Sequence, residues 1–479
     1  GVVAATGGKT QWMSIGPDTD NYIPRVNWLP DSRRLAIQRL NRDQNKLEIL
    51  LADADGGSSQ VILTETDKYW VNVSDDLYFF KDGKRFLWSS ERTGYRHFYI
   101  YDLRGNQIDQ LTSGDWQIFG TTGFGPGAVN QPAVNEAAGY VYFLSNKDNP
   151  IETQLFRVSL ADKKITRITK EAGVHSVHFA PTASAFVDTY SSAMDLPRQG
   201  LCQADGKPIA MLKENDMAEF NPFHLVQPQF IVIPGADGTP LEAEVIRPPD
   251  FSGAKKYPVI MHVYGGPGAQ TVRNSWEGWQ FLWHQMMAQK GYIVLILDTR
   301  GTAGRGHVFE TPIYHRLGEP ELADELAAAK YLKSLNYVDG SRIGIWGWSF
   351  GGFMTATTMF KAGDTFKAGF AGSPVTDWRQ YDTIYTERYM GRPQDNPDGY
   401  QNSSPVNFAG GLNGQLLIAA ATGDDNVHFG NTVELAEKLI QADRYAEIAI
   451  YPGRGHGISD PPARTQLFQR VTKFFLDHL

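Results

Sequence analysis

A serine set between glycines is the strongest chemical signal in this sequence. The segment Gly347-Trp348-Ser349-Phe350-Gly351-Gly352 contains the pattern Gly-x-Ser-x-Gly, with a β-like run before it and a helix-like run, Met354 to Lys361, after it. A serine on a sharp strand-to-helix turn presents its hydroxyl above a sheet, with a helix N-terminus beneath it. The flanking glycines are needed because side chains would collide where strand and helix meet. This context predicts a nucleophilic Ser349, against the alternative of a glycine-rich turn in a chain with 48 glycines.

An acid and a base follow Ser349 in the order that α/β-hydrolases use, which is serine, then aspartate or glutamate, then histidine. A serine hydroxyl needs a base to take its proton, and the base needs an acid to hold its tautomer. The buried strand Gln415 to Ala421 leads into Asp424, and the strand Ala446 to Tyr451 leads into His456. Both side chains therefore follow the C-terminal ends of predicted strands, where ligands bind in open α/β sheets.

Two neighbouring residues are alternatives for these roles. We interpret His428 as a structural histidine that packs the aspartate loop, because His456 lies between glycines after the last strand and ahead of a closing helix, Ala463 to Leu479. Asp424 and Asp425 are not separated by physical reasoning alone. One is expected to be the acid, and the other is expected to cap the segment that follows.

The oxyanion donors are predicted on either side of the serine. The strand Tyr257 to Tyr264 runs into Gly265-Gly266-Pro267-Gly268, which is where an α/β-hydrolase places one donor. The other donor is the backbone N–H of Phe350, the residue after the nucleophile. A plain glycine turn is the alternative, but the position ahead of a long predicted helix, Trp276 to Lys290, favours the functional interpretation.

Together these segments resemble the dipeptidyl peptidase IV branch of the prolyl oligopeptidase family of serine peptidases, densely over residues 226–479. The similar segments are the nucleophile motif 347–352, the acid loop 424–429, the pocket segment 375–391 and the loop 298–301. In this family the first aspartate of the acid loop is the triad member, which implies Asp424. The chain departs from the family at Ala420-Ala421, where His-Gly is common, and at Phe350, where tyrosine is common. Neither change removes a catalytic group.

The resemblance also implies the binding residues. Tyr264 would supply a phenolic oxyanion donor, and Asn426 and Arg388 would hold substrate carbonyls or neighbouring side chains. A small pocket for proline would be lined by Phe350, Val375, Trp378, Tyr381, Tyr385 and Val427. Trp378, Tyr381 and Tyr385 have the spacing i, i+3, i+7, which predicts one face of a helix. The alternative is that this aromatic stripe is ordinary core.

The first 225 residues predict a different domain, all-β, with short alternating strands between turns. Phe98 to Leu103 is similar to Leu155 to Leu160, and each is followed by a turn and a closing strand. The repeat of roughly fifty residues is typical of four-stranded propeller blades, with a β-sandwich as the alternative. The predicted architecture is therefore a partial β-propeller of about four blades at residues 1–225 and an α/β-hydrolase domain, a doubly wound and mostly parallel sheet, at residues 226–479.

The amino-acid composition limits the partners and cofactors that are expected for this chain. Hydrophobic residues make up 42% and charged residues 20%, as in globular proteins, and the net charge of −8 argues against nucleic acid. Apolar runs are far shorter than the ~20 residues of a membrane span. The single cysteine, Cys202, excludes an intramolecular disulfide and a multi-cysteine metal site. Without a dinucleotide or phosphate-binding fingerprint, no cofactor and no metal are expected.

The predicted activity is that of a serine peptidase which releases N-terminal Xaa-Pro or Xaa-Ala dipeptides through an acyl-enzyme. By resemblance, it would be a homodimer in the periplasm or secreted. In this branch a Glu-Glu pair in an eight-bladed propeller binds the substrate amine, and the sequence contains no Glu-Glu dipeptide. We therefore expect the chain to be part of a larger enzyme, with a propeller segment upstream, and to discriminate poorly between free and acetyl-capped amines by itself. The alternatives are a prolyl endopeptidase, an acylaminoacyl peptidase, or a catalytically silent binding protein.

Overall fold

The computed structural model describes residues 1–120 and 132–479, which form two compact units. Unit 1 contains Gly1–Ser192, Leu196–Asn215 and Arg305–His307, and unit 2 contains Ala193–Asp195, Asp216–Gly304 and Val308–Leu479. The boundary predicted between residues 225 and 226 lies just after the 3-10 helix Met217–Phe223, which belongs to unit 2.

Unit 1 is built from antiparallel sheets whose strands follow one another in chain order. The first sheet contains β1 (Asn21–Trp28), β2 (Arg34–Asn41), β3 (Lys46–Asp53) and β4 (Ser59–Thr66), and the second contains β5 (Tyr78–Phe79), β6 (Arg85–Ser90), β7 (His97–Asp102) and β8 (Gln107–Gln110). The third contains β9 (Ile118–Phe119), β10 (Ala133–Asn135), β11 (Tyr140–Ser145), β12 (Gln154–Ser159) and β13 (Ile165–Arg167), with β9 paired to β11 off the main path. The fourth contains β14 (Val174–Phe179), β15 (Ala185–Ser191), β16 (Arg198–Gln203) and β17 (Pro208–Lys213).

Successive sheets of unit 1 share buried cores. Leu47 of the first sheet packs in one cluster with Phe86 of the second, and Phe98 of the second packs with Phe143 of the third. Leu155 of the third packs with Phe186 of the fourth. Face-to-face stacking of four-stranded meanders is the arrangement of propeller blades. The predicted repeat is confirmed, since the two similar segments correspond to β7 and β12, each the third strand of its main meander.

Unit 2 contains one mixed sheet of eight strands. These are β18 (Gln229–Pro234), β19 (Pro240–Ile246), β20 (Tyr257–Val263), β21 (Ile293–Leu297), β22 (Val338–Trp348), β23 (Ala368–Gly372), β24 (Gln415–Ala421) and β25 (Glu447–Tyr451). Their order is β18-β19-β21-β20-β22-β23-β24-β25. The β18–β19 and β19–β21 pairs are antiparallel, and every pair from β21 to β25 is parallel. The predicted α/β-hydrolase sheet is confirmed.

Helices lie between and after these strands in the sequence. They are α1 (Gly278–Gln289), α2 (His307–Glu310), α3 (Glu319–Ser334), α4 (Phe350–Lys361), α5 (Thr383–Met390), α6 (Pro397–Ser403), α7 (Gly430–Gln441) and α8 (Pro461–His478), with further 3-10 helices at Thr311–Ile313, Trp378–Gln380 and Pro405–Gly411. Asp460 caps α8 by accepting a hydrogen bond from Ala463 N, and the helix buries a stripe that includes Leu467 and Val471. Within the described ranges, no helix has both the length and the apolar character needed to cross a membrane.

The parallel strands bring the predicted site residues to one edge of the sheet. Every residue of β21 is buried, as expected for a strand covered by helices on both faces. Tyr264, Ser349, Asp424 and His456 each follow the C-terminal end of a parallel strand, which is β20, β22, β24 and β25 in turn. Residues far apart in the sequence therefore share one edge.

Candidate active site

Ser349 occupies a strained turn between β22 and α4. Its backbone angles are φ 60° and ψ −114°, outside the regions that a non-glycine residue normally adopts. A Cβ atom at Gly347 or Gly351 would lie 2.4 or 2.3 Å from the carbonyl oxygen of Val263, the last residue of β20. The glycines are therefore required because the turn packs directly on the end of β20.

Asp424 and His456 form a hydrogen-bonded pair. His456 Nδ1 lies 2.8 Å from Asp424 Oδ2, with the aspartate side chain 1% exposed and the histidine side chain 21% exposed. The backbone N–H groups of Asn426 and Val427 donate to Asp424 Oδ1 at 3.0 and 2.9 Å. Burial alone would raise the pKa of Asp424, but the hydrogen bond and charge of His456, with those two N–H groups, lower it below its usual value. An ionised Asp424 holds the proton of His456 on Nδ1, which leaves Nε2 free to accept a proton.

The histidine loop is attached to the serine turn through Trp348. Trp348 Nε1 donates a hydrogen bond to the carbonyl oxygen of His456 at 3.1 Å. In the part of the chain that the structure describes, no hydrogen bond joins the Ser349 hydroxyl to His456. Catalytic hydrogen bonds of this kind commonly tighten only when substrate is bound.

The two neighbouring alternatives are resolved by the acid loop. Asp424 both contacts His456 and caps the turn, whereas Asp425 is exposed. The helix that follows, α7, has Phe429 at its N-cap and no side-chain cap hydrogen bond, so the capping role predicted for Asp425 is wrong. His428 is exposed, and its carbonyl oxygen accepts a hydrogen bond from Asn431 N at 2.9 Å. Its contribution to the loop is therefore made by the backbone and not by packing of its ring.

The two predicted oxyanion donors lie on adjacent elements. The ring centroids of Tyr264 and Phe350 are 6.1 Å apart, and a Cβ at Gly351 would lie 3.2 Å from the Cα of Tyr264. Phe350 opens α4, and the first N–H groups of a helix have no partner within it. Burial, reinforced by the nearby Tyr389, raises the pKa of Tyr264, so its phenol keeps the proton that it would donate.

The aromatic side chains predicted to form the pocket meet, although the helix predicted for them is wrong. The rings of Trp378 and Tyr385 are stacked at 6.2 Å with an interplanar angle of 15°, and Tyr381 lies edge-on to both at 5.8 and 5.2 Å. Phe350 lies 5.7 Å from Trp378. The backbone is a 3-10 turn that ends at Gln380, an extended Tyr381, and then α5.

The other predicted binding residues surround this cluster in the sequence and the fold. Val375 and Val427 are buried in the loops after β23 and β24. Asn426 Oδ1 accepts a hydrogen bond from the Tyr381 hydroxyl at 2.6 Å, which fixes that ring. The guanidinium of Arg388 lies 5.9 Å from the ring centre of Tyr389, which is behind Tyr385.

Comparison with known proteins agrees with this geometry. Residues 279–479 match the model of the prolyl oligopeptidase family, and residues 1–197 match that of the dipeptidyl peptidase IV N-terminal region. The chain is 34% identical over 482 residues to the probable dipeptidyl-aminopeptidase B of Emericella nidulans, an alignment that covers 96% of this chain and 52% of that protein. The chain spans about half the length of the curated relatives it matches.

Two solved structures have the same fold as this chain and are more than 30% identical to it over the aligned residues. The Porphyromonas gingivalis dipeptidyl peptidase 4 has a TM-score of 0.91 and 33% identity, covering 98% of this chain and 65% of that chain. A putative dipeptidyl aminopeptidase IV from Bacteroides ovatus has a TM-score of 0.88 and 31% identity, covering 98% of this chain and 68% of that chain. The chain belongs to the prolyl oligopeptidase family. Its N-terminal match assigns it to the dipeptidyl peptidase IV branch, which confirms the resemblance inferred from the motifs.

Two carboxylates that received no role from the sequence support this prolyl oligopeptidase site: Asp298, which lies in the loop 298–301 identified by resemblance, and Asp324, which was missed. Asp298 accepts hydrogen bonds from Thr271 N and Val272 N, both at 2.9 Å, and so holds the segment that continues from the loop after Tyr264. Asp324 binds Arg300 through three donors. An aspartate directly after the fully apolar β21 was a usable signal for Asp298. Asp324 gave none, because it lies within a helix and its partner lies in another loop.

Proposed function

We propose that the protein is a serine peptidase of the dipeptidyl peptidase IV type, which releases Xaa-Pro and Xaa-Ala dipeptides from the N-termini of peptides. The acyl-transfer chemistry is supported above all by the hydrogen-bonded Asp424–His456 pair, which the hydrogen bond from Trp348 attaches to the Ser349 turn. The dipeptidyl part is supported by the family and by the names of the relatives, and it is tested separately.

In the proposed mechanism, Ser349 Oγ bonds to the carbonyl carbon of the second residue while its proton passes to His456 Nε2. The tetrahedral intermediate collapses as the C–N bond breaks and His456 returns the proton to the departing amine. Water then gives a proton to His456 Nε2 and attacks the ester carbonyl carbon. The bond from that carbon to Ser349 Oγ breaks, His456 returns the proton to Oγ, and the dipeptide leaves. Asp424 keeps the imidazole in the required tautomer and stabilises the imidazolium, as its lowered pKa allows.

The negative charge that develops on the carbonyl oxygen would be stabilised by the Tyr264 phenol and the Phe350 N–H. Donors placed for the charged intermediate are among the largest contributions to acyl transfer. A raised pKa suits Tyr264 to this role because the group must stay protonated at the working pH.

The residue before the cleaved bond would enter the aromatic pocket. The stacked pair Trp378 and Tyr385, with Tyr381 at their edge, offers flat apolar walls, and tyrosine hydroxyls can remain in contact with water at the rim. A proline ring or an alanine methyl group suits a small pocket of this kind, whereas larger side chains would be excluded.

Labelling with a fluorophosphonate tests the nucleophile. We expect the protein to be labelled at Ser349 and to hydrolyse a glycyl-prolyl chromogenic amide, and Ser349→Ala to lose about 10⁴-fold or more in kcat. Ser341→Ala, at an exposed serine on the same strand, is the matched control and should keep full activity. Labelling elsewhere, or activity in Ser349→Ala, would overturn the assignment.

A substrate pair tests the dipeptidyl part. For a dipeptidyl peptidase, kcat/KM should be at least about a hundredfold higher for a free-amine Xaa-Pro amide than for its acetyl-capped form, because a charged hydrogen-bonded anchor contributes roughly 1.5–3 kcal/mol per bond. In the 479-residue protein, a preference of this size would show that carboxylates within these residues bind the amine, and it would overturn the expectation of poor discrimination. Equal values are expected if the amine anchor lies outside these residues, and cleavage of a longer peptide at an internal proline would then indicate a prolyl endopeptidase. A preference for the capped amine would indicate an acylaminoacyl peptidase. We also propose that the protein is periplasmic or secreted and forms a homodimer, as its family resemblance implies. Cell fractionation tests the location, and sedimentation tests the oligomeric state.

A further inference from the structure

Helix α3 places three buried carboxyl groups behind the loop that follows β20. Glu321, Asp324 and Glu325 are each 0% exposed, and their spacing puts them on one face of the helix. None of them has a role in the proposed chemistry. Buried carboxyl groups are costly unless they are paired with a cation or kept protonated, so each needs a physical explanation.

Asp324 is the member of the three that has a cation. Its carboxylate accepts from Arg300 Nε and Nη2, both at 2.9 Å, and from Arg300 N at 3.0 Å. The remaining arm of the guanidinium, Nη1, donates to the exposed Asp237 at 2.6 Å. Glu325 has a neutral partner, because its Oε2 accepts from the hydroxyl of Thr358 on α4. Arg300 is therefore already shared by two carboxylates.

Glu321 packs under the residue that follows Tyr264. A Cβ at Gly265 would lie 3.1 Å from Thr299 Oγ1, 3.6 Å from Met354 Cγ and 3.7 Å from Glu321 Cγ. These three side chains form the floor beneath Gly265, whose φ is +74°. Glu321 Oε2 accepts a hydrogen bond from Gly318 N at 3.0 Å. Glu321 Oε1 and Thr299 Oγ1 are buried and have no hydrogen-bond partner among the residues that the structure describes.

The charge state of Glu321 follows from this surrounding. Burial raises the pKa of Glu321 to about 8, Asp324 adds to the rise, and Arg300 and the backbone N–H of Gly318 oppose it. Burial also raises the pKa of Glu325 well above its usual value. Glu321 is therefore mostly neutral at pH 7. The groups that face Glu321 are Asp324 and Glu325 from α3 itself and Arg300 from the loop after β21, with Asp237 bound to the far side of that guanidinium.

The start of α3 also contacts the other elements of the site. A Cβ at Gly318 would lie 2.6 Å from Cζ of Phe353, on the helix that follows Ser349. Leu317 N donates to Met390 Sδ at 3.4 Å, at the end of the helix that carries Tyr385. A change in the placement of this helix start would therefore reach the nucleophile helix and the pocket helix as well as Gly265.

We propose that Glu321 is a positioning residue for the oxyanion loop: its neutral carboxyl group supports Gly265 and thereby sets the position of Tyr264, and its ionisation releases that support. This inference rests on the proposed function, because Tyr264 matters only if an oxyanion forms at Ser349. Glu321 touches no reacting atom and acts through Gly265. Once ionised, the Glu321 carboxylate would be attracted toward the Arg300 guanidinium and would move away from Gly265.

The test is the rate of fluorophosphonate inactivation of the 479-residue protein between pH 6 and pH 10. The probe has no titrating group and requires the serine, the base and the oxyanion donors, but no peptide specificity. With a pKa of about 8 for Glu321, the protonated fraction falls ~30-fold from pH 7 to pH 9.5, and we expect the rate to fall at least about tenfold over the same range. Glu321→Gln, which keeps the size and the neutral charge, should remove this alkaline fall and leave the rate at pH 7 within about twofold.

Glu325→Gln is the matched control, at a glutamate equally buried on the same helix. Glu325 accepts a hydrogen bond from Thr358 on α4 and is not among the side chains beneath Gly265, so its replacement should keep the wild-type fall. An alkaline fall that persists in Glu321→Gln would overturn the inference, and so would a wild-type rate that stays level from pH 7 to pH 9.5, a result that needs no variant to fold. In both cases reaction at Ser349 would leave the proposed function standing. No reaction of the wild type at any pH would overturn the proposed function and this inference with it.

Discussion

At the scale of single residues, Asp424 shows how one carboxylate can both orient a base and shape its own loop. Its Oδ2 faces His456, and its Oδ1 accepts two backbone N–H groups of the turn. The sequence predicted that the acid would lie in the turn after β24, because an apolar strand leads there into a polar turn that contains two aspartates. It did not separate Asp424 from Asp425, because which of two adjacent side chains points inward is decided by the backbone direction of the turn.

The different surroundings of Asp424 and Asp425 predict different effects for two adjacent and equally conservative substitutions. Asp424→Asn should lower kcat by about 10³–10⁴-fold, since the amide cannot hold the histidine tautomer or stabilise the imidazolium. Asp425→Asn should stay within about twofold of wild type, because Asp425 is exposed and has no part in the pair. Steady-state kinetics on one chromogenic substrate compares the two. Equal losses in both variants would mean that the loop responds to total charge and that Asp424 has no special role.

At the scale of secondary-structure elements, the aromatic pocket is a segment in which the spacing of the residues predicted the wrong backbone conformation. The spacing of Trp378, Tyr381 and Tyr385 predicted one helix, but Asp382 interrupts it. Asp377 caps the 3-10 turn by accepting from Arg379 N, and Asp382 caps α5 by accepting from Tyr385 N at 3.1 Å. Aspartate favours N-cap positions because it competes for backbone N–H groups. Asp382, within the stretch, was therefore the sequence signal for a broken helix, yet only the fold of the turn decides that the three rings still meet.

Removing one wall of this cluster should change substrate selectivity. Tyr385→Ala should reduce the preference for proline over a larger residue by about 1–3 kcal/mol in the ratio of kcat/KM values, because space opens beside the stacked Trp378. Tyr445→Ala, at a tyrosine that is 79% exposed, is the control and should leave the ratio unchanged. The measurement uses two peptide amides that differ only at the residue before the cleaved bond. If Tyr385→Ala leaves the ratio as it is, these rings are core and the pocket lies elsewhere.

At the scale of the whole molecule, the sequence predicted more of the architecture than of the side-chain geometry. The fifty-residue repeat and the strand-end motifs depend on local periodicity, which survives without knowledge of tertiary contacts. The buried polar groups of unit 2 were not predicted, because burial of Glu244, His262 and Glu321 depends on which distant elements cover them. Glu244, for example, lies on β19 and is 5% exposed.

These buried groups predict that unit 2 has a narrow pH range of stability. Burial lowers the pKa of His262 to about 3, so the stability that its neutral form contributes is complete above pH 6.5 and is lost as the pH falls toward 3. Burial, with the neighbouring Glu277, raises the pKa of Glu244 to about 8, so stability is lost as the pH rises from 4.5 to 8. The two losses act in opposite directions, and the raised pKa values of Glu321 and Glu325 add to the alkaline loss. The free energy of unfolding of unit 2 should therefore be greatest in mildly acidic solution and should fall as the pH rises above about 6.5.

Glu244→Gln tests the alkaline side of this range. The substitution removes a titration that costs on the order of 4 kcal/mol at pH 8 and far less at pH 5, because the folded unit binds a proton there that the unfolded chain does not. Calorimetry should show one of the unfolding transitions moving up by about 5–10 °C at pH 8, with a much smaller change at pH 5. Glu437→Gln, at an exposed glutamate of α7, is the matched control and should move neither transition. A shift of the same size at both pH values would show that Glu244→Gln acts through packing, and the titration of Glu244 would then have no part in the stability of the unit.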